Sequence, residues 1–242
     1  MEHLAGGVVL SRNVIDVPEH VITELEQQVD QSFEDMYEFT YGETGEVLYG
    51  TNRSGHKIPY KDLYVNPIRV HGTINPSFFE SCDKVIYNSL LLYFELFPDA
   101  LPCVWWEVGG HVAYYPIGTH YGPHSDNDVD YFYGHVPPDQ SALNQVISLS
   151  LGLNDGYTGG HLRFKYLDID VQLGPGDLLF YPSNYMGTHE VTEVTDGCRY
   201  VYLSNFGQGS PAEDRNVFIH DDRDPGEQGK SWLPSLESLR SR

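Results

Sequence analysis

The stretch Tyr115–Asp126, reading YPIGTHYGPHSD, decides how the rest of the chain is read. It ends in a His-x-Asp pair, His124 and Asp126, and a later histidine, His189, opens the segment HEVTEVTDGCR that runs to Arg199. Two imidazoles and one carboxylate on one face of a metal ion leave its other positions open, an arrangement that suits Fe(II). The pair alone carries little. Asp and Glu make up 35 of 242 residues, so roughly one histidine in seven has an acid two places on by composition alone. Among eleven histidines there are two such pairs, His124/Asp126 and His220/Asp222. Their surroundings separate them: His220 and Asp222 lie in a polar tail, in HDDRD, with no histidine after them, and are assigned to solvent. His124 lies among strand-like segments, and His189 follows it.

Outward from that stretch, Cys103 onward consists of short β-branched and aromatic runs separated by Gly, Pro, Asn and Asp. Strands are predicted near Val104–Val108, His111–Tyr115, Val146–Leu153, His161–Phe164, Ile169–Leu173, Leu178–Tyr181, Thr188–Val194 and Arg199–Phe206. Strand alternation puts His111, Ala113 and Tyr115 on one face. Gly118, Gly122 and Pro123 then turn the chain toward His124. Eight short strands suit a jelly roll. Arg199 stands amid Tyr200, Val201, Tyr202 and Leu203, where a guanidinium is costly to bury without an anionic partner.

Toward the N-terminus, a short apolar run at Gly7–Leu10 precedes a helical spacing of Val21, Ile22, Leu25, Val29 and Phe33 within Val17–Tyr37. From Thr40 to Gly72 periodicity vanishes, which reads either as a lid or binding loop or as a surface excursion. Asn75-Pro76-Ser77 opens a second helix through SFFESCDKVIYNSLLLYFELF, closed by Pro98 and Pro102. The expected organisation is one mainly β domain with flanking helices: 1–102 as helical support and lid segment, 103–206 as jelly-roll core, 207–242 as polar C-terminal tail.

The net charge, −21 from 14 basic and 35 acidic residues, argues against nucleic acid and anionic membranes, because no Lys/Arg cluster exists to neutralise phosphates. It leans slightly toward a cationic substrate. Cys82, Cys103 and Cys198 are odd in number and widely spaced, so neither a disulfide framework nor a zinc knuckle is expected. The start, MEHLAGGVVLSRNV, lacks a basic run and a long apolar core. A soluble, cytoplasmic protein is expected.

Taken together, Tyr115-x-x-Gly118-x-x-Tyr121-x-x-His124-x-Asp126, Gly159-Gly160-x-Leu162-Arg163-Phe164, Gly174-x-Gly176-Asp177, and His189 with Arg199 ten positions later resemble the Fe(II)/2-oxoglutarate-dependent oxygenases, in their prolyl-hydroxylase-like branch. The resemblance covers about Tyr114 to Phe206. It implies a double-stranded β-helix packed against N-terminal helices, with His124, Asp126 and His189 as the metal triad. It also implies Arg199 as the partner of the distal carboxylate of 2-oxoglutarate, for which a planar bidentate fork is apt. Tyr115 is similar to the tyrosine whose hydroxyl joins that carboxylate, and Tyr121 to a residue flanking the co-substrate. Read from the residues alone, both tyrosines serve equally as core aromatics with a wet hydroxyl. The cofactors implied are Fe(II), 2-oxoglutarate as co-substrate and dioxygen, with ascorbate as accessory reductant.

The resemblance further implies oxidative decarboxylation of 2-oxoglutarate to succinate and carbon dioxide, coupled to oxidation of a substrate C–H bond. Related halogenases have a small residue in place of the acid; Asp126 is present here, so hydroxylation is expected, with desaturation, epoxidation or ring closure as other outcomes. The segment NDVDYFYGHVPPDQSALNQ follows the triad acid closely. Its Asp128, Asp130, Tyr131 and Tyr133, with Arg163 at the rim, are the candidate substrate residues, an aspartate meeting an amine; the bland reading is an acidic surface loop. The expected substrate is a small polar metabolite, an amino acid or a derivative. The alternatives are a prolyl residue in a peptide or protein and, in other classes, a metal-containing jelly-roll isomerase or a binding module.

Overall fold

A computed structural model describes residues 1–44, 47–52, 57–59, 68–70, 75–127, 144–208 and 231–232. In chain order the elements are β1 (Glu2–Ala5), β2 (Val8–Ser11), α1 (Glu19–Met36), β3 (Tyr37–Tyr41), β4 (Val47–Asn52), β5 (Lys57–Pro59), β6 (Ile68–Val70) and α2 (Pro76–Leu96). There follow β7 (Trp106–Tyr115), β8 (Tyr121–His124), β9 (Asn144–Gly152), β10 (Thr158–Gly159), β11 (Leu162–Phe164), β12 (Ile169–Val171), β13 (Leu178–Pro182), β14 (His189–Val191), β15 (Val194–Asp196), β16 (Arg199–Gln208) and β17 (Ser231–Trp232).

The larger sheet runs β1-β2-β13-β9-β16-β7-β17, with β6 also on β7. A smaller sheet runs β12-β11-β14-β8, and β10 pairs with β15. Alternation along β13 shows how the layers stack. Leu178 and Phe180 join Val9, Leu149 and Leu151 against Leu25 and Val29 of α1 and Ile86, Leu90 and Tyr93 of α2. Leu179 and Tyr181 join Val8 and Leu10 against Leu162, Phe164, Ile169 and Val171 of the smaller sheet. The larger sheet is therefore apolar on both faces, helices on one and the smaller sheet on the other, the jelly-roll layering expected. Each fully buried Leu or Phe in these layers contributes about 1.5–3 kcal/mol relative to exposure. A third cluster, Ala113, Tyr115, Tyr157, Val191, Val194 and Val201, closes one end of the space between the sheets.

Several elements differ from the sequence expectation. The Gly7–Leu10 run is the second strand of a hairpin that extends the larger sheet by pairing β2 with β13. The two strands expected at 104–108 and 111–115 are one strand, β7, because Gly109 and Gly110 do not break it. Gly110 instead lies under the Tyr202 ring, where a Cβ would stand 1.9 Å from Cζ. Tyr121–His124, expected as a turn, is edge strand β8; Pro123, which has no N–H to offer a ladder, is tolerated at an edge. The strand expected at 188–194 is two, β14 and β15, with Thr192 diverted to His161. Apart from the turn at 42–44, the described parts of Thr40–Gly72 are strands, β3-β4-β5 in a sheet of their own and β6 on the larger sheet. Backbone pairing of such short runs leaves no helical or alternating trace in composition.

Cys82, Cys103 and Cys198 are free thiols. Among the described residues no helix is long and apolar enough to cross a membrane.

Candidate functional site

The edge strand β8 lies beside β14 with His124 and His189 as Cα partners. Their ring centroids are 4.5 Å apart. Nδ1 of His124 lies 2.9 Å from the Gly122 carbonyl and Nδ1 of His189 lies 3.0 Å from the Gly187 carbonyl. A carbonyl can only accept, so Nδ1 carries the proton in both rings and each Nε2 keeps its lone pair for a metal. Asp126 leaves the end of β8 with Oδ1 3.3 Å from His124 Nε2. One ligand atom from each of His124, Asp126 and His189 lies within 4.8 Å of the others. Two neutral imidazole nitrogens and one carboxylate oxygen gathered this closely fit a divalent ion such as Fe(II).

The surroundings hold that donor set in its ligating form. Burial raises the Asp126 carboxyl, but its neighbours His189, His124 and Ser148 together outweigh burial and hold the group below the usual carboxylate range. Burial pushes His189 below the usual imidazole value; Asp126 and the Gly187 carbonyl oppose the shift, while His124 and Arg199 add to it. Ser148 bonds Ser183 at 2.7 Å, and the Ser183 carbonyl accepts from the Asn127 amide at 3.1 Å, so the exit from β8 is tied to β9 and β13. The ring of Tyr181 stands edge-on to His189 at 4.8 Å, and Phe164 lies 5.5 Å away.

Arg199 begins β16, opposite Tyr115 on β7. It is 2% exposed, its guanidinium carbon lies 4.7 Å from the Tyr115 ring centroid, and its Nη1 has no hydrogen-bond partner among the described residues. A buried charged donor left unpaired costs several kcal/mol in principle. An incoming carboxylate would remove that cost, and a cationic fork stacked on an aromatic ring is well shaped to receive one.

The other expected residues divide. Tyr115 is buried against Arg199, and Tyr121 meets His124 edge-on with centroids 4.4 Å apart, so both belong to this region. Arg163 does not. It alternates with Leu162 and Phe164, and since Phe164 turns toward His189, Arg163 points to the outer face of the smaller sheet, where it pairs with Asp170 and Glu190. His161 joins Asp170 on that same outer face. Asp128, Asp130, Tyr131 and Tyr133 lie outside the described residues, as do His135, His220 and Asp222.

Sequence reading missed Ser148, Ser183 and Tyr181. Ser148 sits in β9 and Ser183 just beyond β13, and they meet because β9 pairs with β13.

Residues 110–207 match the profile of a family described as the 2OG-Fe(II) oxygenase superfamily. No curated protein sequence matches the chain. Among solved structures, the chain is similar to a viral collagen prolyl hydroxylase from Paramecium bursaria Chlorella virus-1, at 10% identity and a TM-score of 0.51 over 85% of this chain and 97% of that one. It is also similar to a prolyl-4-hydroxylase of Pseudomonas putida, at 19% identity and a TM-score of 0.46 over 84% and 94% of the two chains. A third is a prolyl hydroxylase of Trichoplax adhaerens in complex with a hypoxia inducible factor peptide fragment, at 16% identity and a TM-score of 0.49 over 90% and 88%. The viral structure supports the fold. The family profile speaks for an oxygenase and against the isomerase and binding-module alternatives.

Proposed function

We propose, from the premise that residues 110–207 belong to the 2OG-Fe(II) oxygenase superfamily, that this oxygenase hydroxylates a C–H bond of a small polar metabolite, an amino acid or a compound derived from one. His124, Asp126 and His189 hold the iron, and Arg199 receives the distal carboxylate of 2-oxoglutarate. The observation that carries the site assignment is the pairing of a three-ligand cluster with a buried arginine whose Nη1 lacks a partner among the described residues.

When bound, Fe(II) and 2-oxoglutarate supply the oxidising chemistry with dioxygen. The chain's own residues do the rest. Gly122 and Gly187 carbonyls aim the two imidazoles; Ser148 adds to the neighbours that favour the Asp126 carboxylate. Phe164 and Tyr181 pack the His189 side of the site and keep it dry, which strengthens each electrostatic contact inside. Arg199 fixes the far end of the co-substrate, so its reacting end is presented at the triad in one orientation.

Support for a small, amine-bearing substrate comes from the charge balance of −21, which favours a cation near the mouth. The competing class is a prolyl residue in a peptide or protein. The test is succinate formation by the iron-loaded protein with 2-oxoglutarate, against free amino acids in one arm and proline-containing peptides in the other. Turnover stimulated by free amino acids is expected. Stimulation by the peptides alone would replace this substrate class, and turnover that survives Arg199→Ala without a rise in the 2-oxoglutarate KM would remove Arg199 from its role.

A further inference from the structure

Gly160, at φ +63°, has no side chain, and a Cβ placed there would stand 2.9 Å from Arg199 Cδ, 3.2 Å from Tyr157 Cε2 and 3.2 Å from Val194 Cγ2. The aliphatic stem of Arg199 and the ring of Tyr157 thus border the same bare stretch of backbone. Tyr157 is itself fixed. It is 8% exposed, its hydroxyl donates to the Leu173 carbonyl at 2.5 Å, and its own carbonyl accepts from Gln172 Nε2 at 3.1 Å. A phenol that has given its proton to a carbonyl meets its other neighbours as an acceptor. Burial raises the phenol's pKa, and the nearby Arg199 guanidinium opposes that rise.

We propose that Tyr157 is a positioning residue for Arg199: anchored on the Leu173 carbonyl, its hydroxyl holds the guanidinium beside the Tyr115 ring so that Nη1 faces the co-substrate already in place. The inference rests on the reading of Arg199 as the anchor of the distal carboxylate. Its physical content is preorganisation. A free arginine side chain has many rotamers, and ordering it at the moment of binding weakens affinity. Tyr157 and the Gly160 gap settle that ordering in the folded chain. The ligand class selected is a 2-oxo acid with a second carboxylate at its far end, and the effect falls on co-substrate affinity rather than on the oxidation step.

The experiment compares wild type, Tyr157→Phe, Arg199→Ala and the double variant by two readouts: the KM and kcat for 2-oxoglutarate of the iron-loaded enzyme, and succinate binding to the metal-free protein followed by thermal shift. Loss of a hydrogen bond to a charged group predicts that Tyr157→Phe raises the KM roughly tenfold and weakens succinate binding to a similar degree, with kcat at saturation held. In the Arg199→Ala background the same change adds nothing, because coupled residues are not additive. An equal penalty in both backgrounds, or no penalty in either, overturns the proposal. Equal succinate binding by wild type and Arg199→Ala overturns the carboxylate-anchor reading and the proposal with it. Should Tyr157→Phe not fold, Gln172→Ala loosens Tyr157 without touching the buried Leu173 carbonyl and must raise the same KM; an unchanged KM there also overturns it.

Discussion

His124 and His189 are cross-strand partners held by the same device: each ring turns Nδ1 to the carbonyl two residues before it, Gly122 at 2.9 Å and Gly187 at 3.0 Å. Two adjacent antiparallel strands thereby present two Nε2 lone pairs side by side. The tautomer and the aim of both ligands come from backbone alone.

The two glycines are not equivalent, which gives a first prediction. A Cβ on Gly187 would lie 1.8 Å from the Pro182 carbonyl oxygen, whereas nothing stands within 4 Å of one on Gly122. Gly187→Ala must move the carbonyl that orients His189. Its affinity for Fe(II), measured by anaerobic titration, is expected to fall about 10–100-fold, the usual scale for disturbing a ligand's support. Gly122→Ala is expected to bind iron as wild type does. Equal effects would show that the chain around Pro182 yields freely.

Ser148 offers a second test. Its hydroxyl helps hold the Asp126 carboxyl down against burial and also bonds Ser183. Ser148→Ala should keep the fold by circular dichroism yet weaken Fe(II) binding by roughly tenfold, the lower end of the range for such support. Unchanged affinity would mean that the histidines suffice to orient Asp126.

Asp177 ties the N-terminal hairpin to the jelly roll. Its Oδ1 accepts from the Asn13 amide at 3.1 Å, and Oδ2 from the Gly174 amide at 2.9 Å and from Arg12. Asp177→Ala strands two backbone donors and is expected to destabilise the protein by about 2–4 kcal/mol. Asp177→Asn, which keeps one oxygen, should cost less. Denaturant midpoints for the two variants check the order.

Glu107 predicts a pH dependence. Burial, then the nearby charge of Asp83, push its carboxyl from an ordinary 4.5 up to about 7. With a folded-state value above the unfolded one, the folded protein binds more protons between these two pH values, so stability falls as pH rises through that window. The penalty is absent below the window and complete above it. Glu107→Gln should remove this slope and be relatively more stable at pH 8 than at pH 4; a Glu107→Gln stability curve parallel to wild type from pH 4 to pH 8 would contradict the shift.

Much of the site was legible because it is written in residue types that are costly elsewhere. Arg199 amid Tyr200, Val201 and Tyr202 announced a buried cation in need of an anion, and it is buried, with Nη1 unpartnered among the described residues. The expected alternation of His111, Ala113 and Tyr115 agrees with the burial of Ala113 and Tyr115 in one cluster. Arg163, expected at the rim, takes the outer face of its strand by period-two geometry, beside Glu190 and Asp170. The ordered strands within Thr40–Gly72 were hidden because hydrogen-bonded pairing uses backbone groups that every residue type carries.

By itself, the sequence determined the chemistry on offer: two histidines, one acid and one arginine at spacings that strands can bring together, and an apolar β13 segment, LLFY, that must be covered on both faces. Tertiary structure alone decided which groups support them. That Ser148 lies near Asp126 and that Tyr157 and Arg199 border one gap at Gly160 depend on segments far apart in the chain, whereas the lack of room for a methyl at Gly187 depends on how the chain folds back on Pro182. Such contacts leave no periodicity or spacing behind. They exist because close packing and sheet register bring particular atoms together, and a one-residue slip of β9 or β16 would turn Ser148 or Arg199 to the opposite face.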